Sequence, residues 1–238
     1  MFNCDQESGA CKISTSEEIN RKIEDINTTI YYIGDPMCSW CWGFSSVLKE
    51  VQNFCSSNNI DFKLKLGGLR PGGGDAWNEG FKSFLKNEWQ NISQRTGQKF
   101  TYTLLNKEHF NYDTTPVSKA VYIARILLNT KKDNDKTLLE FFSSIQEKFY
   151  AYGEDSTKLE FFENICEKYN ISFLEFSNFF NSAEIEKEIY LEFNEARSLT
   201  SGGMPSLVMI KEKKKNIISA GYNTYENIIK EINKYIKD

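Results

Sequence analysis

The 238-residue sequence has one histidine, four prolines and no apolar run approaching the ~18 residues that a spanning helix needs. A membrane-spanning segment is therefore not expected. The single histidine, His109 in KEHFNYDTTP, has no second histidine to share a metal with. No Ser or Asp is placed by the sequence as its partner, so a hydrolytic triad has little support and His109 reads as a surface or satisfied polar residue. Basic residues are not in excess either. Lys plus Arg number 29 against 33 Asp plus Glu, giving a net charge of −4 and no sequence-wide footprint for a polyanion. We expect neither a nucleic-acid nor a membrane partner. Lys211 to Lys215, broken by Glu212, lies between two apolar runs and reads as a solvated hairpin tip.

The first thirty residues lack a basic start and an apolar run before a small-residue cleavage site, which predicts a cytoplasmic protein. Cysteine is also sparse. Six residues, at 4, 11, 38, 41, 55 and 166, are too few for a disulfide scaffold of this length, and that compartment keeps thiols reduced. Paired cysteines are then reactive or metal-binding. What is present is ordinary for a folded domain, with 40% apolar and 26% charged residues.

Thr28 to Gly34, TTIYYIG, is short, β-branched and aromatic, the mark of a buried strand. Val47, Leu48, Val51, Phe54 and Cys55 then recur on one face of a helix, so Cys38 falls at or just before a helix N-terminus. Residues 60–66, IDFKLKL, alternate as a second strand, which GGLRPGGG ends. That loop matches neither a phosphate loop nor a dinucleotide fingerprint. It reads as a turn, with Arg70 a candidate to face a site. From Asp75 to about Leu199 the signals are helical, and Thr157 with Glu160 and Ser172 with Glu175 fit capping boxes. Its many Phe and Tyr residues read first as helix-interface core and second as the lining of a groove. SLVMI, NIISA and a last apolar-periodic run then predict strand, strand, helix. The order predicts an α/β layer with an all-helical insertion between its second and third strands.

Cys38-Ser39-Trp40-Cys41 is a C-x-x-C opening a helix directly after a strand. Two intervening residues in a helical first turn bring the sulfurs close enough for a small disulfide ring. The helix terminus offers unpaired N–H groups and partial positive charge to the first of them, so Cys38 is the better-placed thiolate. Asp35, three residues earlier, reads as a turn-forming Asp-Pro or as a proton relay for Cys41. The rival reading of the pair is half of a zinc site completed by Cys4 and Cys11, whose six intervening residues fit such sites poorly. Cys4 and Cys11 could also form a second redox pair, or lie in a terminal tail without one. Cys55 and Cys166 read as small core residues.

With the strand, DPMCSWCWGF, GGLRPG and a Gly-Gly-Met-Pro segment before the third strand in this order, the chain resembles the DsbA superfamily of thioredoxin-fold oxidoreductases, in its FrnE-like branch. The resemblance runs over about residues 28–238 and is weakest in the helical middle. It implies a thioredoxin-like domain formed by 28–74 and 200–238, a helical insertion domain at 75–199, and an N-terminal extension at 1–27. It also implies Cys38 as the attacking and Cys41 as the resolving cysteine, and Pro205 as a cis-proline whose loop faces the pair. Met204 would then hold an extended substrate through its backbone, with Trp40 and Trp42 shaping the rim. The implied activity is thiol–disulfide exchange on a thiol or disulfide substrate, a protein or a small thiol such as glutathione, with no cofactor and no metal. Two other functions stay open. One is a redox-gated, non-catalytic adaptor for a partner protein. The other is a glutathione-dependent small-molecule transferase or isomerase, whose relatives tend to lack the second cysteine.

Overall fold

The computed structural model describes residues 2–4, 11–13, 28–128, 134–200 and 203–236, the first two segments by their backbone alone. Strand β1 (Phe2–Cys4) pairs antiparallel with β2 (Cys11–Ile13), which sets Cys4 opposite Cys11 in register. Their side chains lie outside the described residues, and with them the zinc and second-pair readings.

The main sheet has four strands in the order β4-β3-β5-β6. At its centre β3 (Thr29–Gly34) runs parallel to β4 (Asp61–Leu66) and antiparallel to β5 (Ser206–Lys211), with β6 (Lys214–Ala220) outside β5. Ile30 and Tyr32 share one face of β3, and their partners Phe62, Leu64, Met209 and Leu207 extend it across the sheet. All six are buried, and the five without a hydroxyl each contribute about 1.5–3 kcal/mol of apolar burial. The parallel pair is joined by α1 (Ser39–Ser57), whose buried Cys41, Phe44, Leu48, Val51 and Cys55 recur every three or four residues.

Between β4 and β5 the described chain is helical. It comprises α2 (Glu79–Thr96), α3 (Thr115–Leu128), α4 (Asn134–Tyr150), α5 (Glu163–Lys168), α6 (Phe173–Phe180) and α7 (Ala183–Leu199), with 3₁₀ turns at Thr103–Asn106 and Leu159–Phe162. From residue 28 on, the expected order of elements is the observed one, ending in α8 (Tyr225–Ile236), whereas the β1–β2 pair ahead of it was not expected. Nearly half of the block's aromatics are buried core, Phe141, Phe142, Phe149, Phe162, Phe176 and Phe193 fully so, and most of the others pack against it half-buried. Ser172 caps α6, its hydroxyl accepting from Glu175 N at 3.4 Å. Thr157 caps nothing. Its hydroxyl donates to Asp155 at 2.6 Å, and the chain enters a 3₁₀ turn at Leu159 instead. Asn78 supplies a cap that the sequence did not announce, accepting from Phe81 N at 3.0 Å. Among the described residues no helix is long and apolar enough to cross a membrane.

Candidate active site

β3 ends at Gly34 and the chain turns through Asp35-Pro36, with Cys38 N donating to Asp35 O at 3.0 Å. Cys38 occupies the N-cap of α1 in an extended conformation, φ −86° and ψ 114°, and its carbonyl accepts the first helical hydrogen bond, from Trp42 N at 3.1 Å. Serine, threonine or aspartate at such a position bonds back to the first turn. The sulfur makes no such bond here. It points across to the third strand's entry, where Cys38 Sγ donates to Met204 O at 3.7 Å. The Met204-Pro205 peptide is cis, and the loop is held by Gly221 N, which donates to Pro205 O at 2.7 Å. Gly67, after β4, allows the loop to approach, because a Cβ there would collide with Met204 Sδ.

The two sulfurs are unequal. Cys38 is 5% exposed and Cys41, three residues further in, is sealed. Both are free thiols in mutual contact. Burial pushes the Cys41 thiol well above the ordinary value, and the neighbouring Cys38 adds to this. Tyr32 opposes the shift. Its hydroxyl is buried with no partner at hydrogen-bonding distance, and the group it interacts with is the Cys41 sulfur. Asp35 is fully buried, and burial raises its carboxyl to about 6. The rise is restrained by two backbone donors, Leu69 N at 2.7 Å and Met37 N at 2.8 Å. It is the Asp35 backbone that interacts with Cys41.

Trp40 is half-buried and tilts against Tyr222, ring centroids 5.8 Å apart. Trp42 is 7% exposed, stacks on Tyr150 and donates through Nε1 to Lys99 O at 3.0 Å. The helix thus turns its indole inward, while Trp40, two residues earlier, stays half-buried. Arg70 is paired with Asp75 and stacked over Phe81 at 5.1 Å. His109 is a surface residue, its side chain 90% exposed. Cys55 and Cys166 are buried, their thiols pushed up to about 12 by desolvation, and are inert core.

Three tyrosines escaped the sequence reading. Tyr112 Oη donates to Met37 O at 3.0 Å and lies 3.1 Å from Tyr150 Oη, so with Tyr32 a buried hydroxyl layer underlies the cysteine turn. The alternation of TIYYIG was the available signal for Tyr32, because it shares the buried face of β3 with Ile30. Tyr112 and Tyr150 carried none, being distant in sequence from any motif.

No protein-family model and no curated protein matches the chain. Solved structures do. A candidate protein disulfide isomerase from Nitrosomonas europaea is similar with a TM-score of 0.76 at 25% identity, over 89% of this chain and 98% of its own. The cytosolic disulfide reductase DsbM from Pseudomonas aeruginosa is similar with a TM-score of 0.64 at 19% identity, over 88% of this chain and 98% of its own. DsbM with GSH gives the same TM-score at 20% identity, over 88% and 100%. DsbA from Chlamydia trachomatis is similar with a TM-score of 0.57 at 13% identity, over 89% and 88%.

Proposed function

We propose that this thioredoxin-fold protein of the DsbA superfamily is a thiol–disulfide oxidoreductase, with Cys38 as nucleophile and Cys41 as resolving thiol. By its DPMCSWCWGF, GGLRPG and GGMP segments we place it in the FrnE-like branch. The observation that carries the function is the asymmetry of the pair. One sulfur stands at a helix N-terminus against the Met204 carbonyl, while its partner is sealed behind it.

Starting from the dithiol, the Cys38 thiolate attacks one sulfur of a substrate disulfide. A Cys38–substrate mixed disulfide forms and the substrate's other half leaves as a thiolate. Cys41 then gives up its proton and attacks the Cys38 sulfur. The second half leaves as thiolate, and Cys38–Cys41 is left oxidised by two electrons. Tyr32 faces the sulfur on which that negative charge develops. Asp35, at about 6, is the proton acceptor; the transfer needs a bridging group because its oxygens are engaged by Met37 and Leu69. Met204 and Pro205 hold the extended substrate, and Trp40 covers its sulfur, with Trp42 behind. Run backwards, the same steps oxidise a dithiol substrate.

A thiol or disulfide substrate, a protein or a small thiol such as glutathione, fits this site; similarity to DsbM with GSH supports the small-thiol case. Similarity to a cytosolic reductase supports a cytoplasmic setting. The test is reduction of a model protein disulfide by wild type, Cys38→Ser and Cys41→Ser. We expect Cys38→Ser to lose activity and Cys41→Ser to accumulate a mixed disulfide at Cys38, seen by mass spectrometry. Equal activity of wild type and Cys38→Ser refutes the reading in favour of a non-catalytic adaptor.

A further inference from the structure

We infer, on the reading that the Cys38–Cys41 pair exchanges with disulfides, that Arg95 makes the entrance selective for disulfides carrying a carboxylate near the sulfur. The placement begins with Gly43. A Cβ there would lie 2.7 Å from Ile92 Cγ2 and 3.2 Å from Thr96 Cγ2, so only glycine lets the last turn of α2 rest against the first turns of α1. Arg95 sits in that last turn. Its Cζ is 5.6 Å from the Trp40 ring centroid and 5.0 Å from that of Tyr222. Trp40 stands between the two cysteines. Tyr222 follows Gly221, which is bonded to Pro205. The guanidinium is thereby fixed over two rings that belong to the turn and the loop enclosing Cys38.

Stacking uses the flat faces of a guanidinium and leaves its in-plane N–H donors free for a carboxylate fork. Among the described residues Arg70 is paired with Asp75 and Arg125 with Glu192, whereas no carboxylate stands within ion-pair distance of Arg95. The first turn of α1 carries no acidic residue to oppose an incoming anion. Arg95 is exposed, so its donors reach solvent at the same opening as the sulfur. The residue touches neither sulfur; it orients and attracts the substrate. The reaction it serves is the reduction of such a disulfide to two thiols by the Cys38–Cys41 dithiol, which becomes the disulfide and loses two electrons.

The test is stoichiometric, so no recycling partner enters. The fully reduced protein is mixed with glutathione disulfide, which is anionic, or with cystamine, which is cationic, and the second-order rate constants are read from tryptophan fluorescence. At low salt we expect the ratio of anionic to cationic rates to fall about fivefold in Arg95→Gln, the scale of an exposed but preorganised charge pair. It falls further in Arg95→Glu and is partly restored in Arg95→Lys. The wild-type ratio shrinks as salt screens the pair. Lys234→Gln, an equal change of net charge in the last turn of α8, which lies by Lys211 at the far end of β5 from Pro205, keeps the wild-type ratio. A ratio identical in wild type, Arg95→Gln and Arg95→Glu overturns the proposal while leaving the oxidoreductase reading intact. A wild-type protein no faster than Cys38→Ser with either disulfide overturns both.

Discussion

Asp35 shows what a single buried group does to the energetics of this site. Its carboxyl is fully buried and accepts two backbone N–H groups, yet desolvation outweighs them and holds it at about 6. The folded protein therefore prefers this group protonated. The stability it contributes is complete below the ordinary carboxylate value and is lost as pH rises through about 6. At ~1.4 kcal/mol per pKa unit the loss is about 3 kcal/mol. Asp35→Asn cannot titrate, so its stability relative to wild type should rise by about that amount between pH 4 and 7, measured by urea denaturation of the reduced proteins. Parallel curves across this range would show that Asp35 keeps its ordinary value. Asp35 reads in the sequence as a turn former or as a proton relay, because Asp-Pro serves either; its depth is what the primary structure could not convey. Tyr31 and Tyr32 pose the same difficulty. Strand alternation separates their faces, but only the packing of α1 on one face makes Tyr32 the neighbour of Cys41.

At the level of elements, the Lys211–Lys215 tip illustrates how composition and geometry differ in what they disclose. Two apolar runs flanking a charged stretch announced a hairpin, and β5 and β6 form one, with Lys211 opposite Lys214. The turn type was hidden. Glu212 and Lys213 both adopt positive φ, 51° and 64°, the combination that a two-residue loop needs to match strand twist and that Asn-Gly adopts most readily. Neither native residue favours the left-handed region. The double substitution Glu212→Asn, Lys213→Gly should stabilise the protein by about 1 kcal/mol in thermal or urea unfolding. Disulfide-exchange rates should not change, because the tip is at the opposite end of β5 from Pro205. A destabilised variant would mean that the turn has another geometry. The Gly43 contact between α1 and α2 was illegible for a complementary reason: a glycine inside a helical pattern gives no sign of which helix will lie against it.

Across the whole molecule, the division into residues 28–74 with 200–238 and an insertion at 75–199 follows chain order, and we propose that it does not mark two independently folding units. One continuous core joins Ile30 and Leu207 of the sheet to Phe142 and Phe193 of the helical block and to Ile232 of α8. A polar clasp closes the same junction at edge strand β4. Glu192 of α7, 4% exposed, accepts from Leu66 N at 2.9 Å and takes both Arg125 nitrogens, at 2.6 and 2.9 Å. Arg125 of α3 in turn donates to Leu64 O at 3.1 Å. The clasp satisfies edge-strand groups that would otherwise be open to a second chain. Nothing in the sequence pairs residue 192 with residue 66, since the contact depends on how α7 returns across the sheet. Glu192→Ala leaves the Leu66 N–H without its acceptor and the half-buried Arg125 guanidinium with Leu64 O alone, at a cost of about 1–3 kcal/mol. If the sheet and the block share one core, that loss lowers a single unfolding transition, with tryptophan fluorescence and far-ultraviolet circular dichroism moving together. Tryptophans report from both parts, Trp42 on α1 and Trp89 on α2, while the dichroism is dominated by the helices. Two separated transitions in the variant, with the helical signal surviving the loss of tertiary fluorescence, would establish the block as a domain of its own.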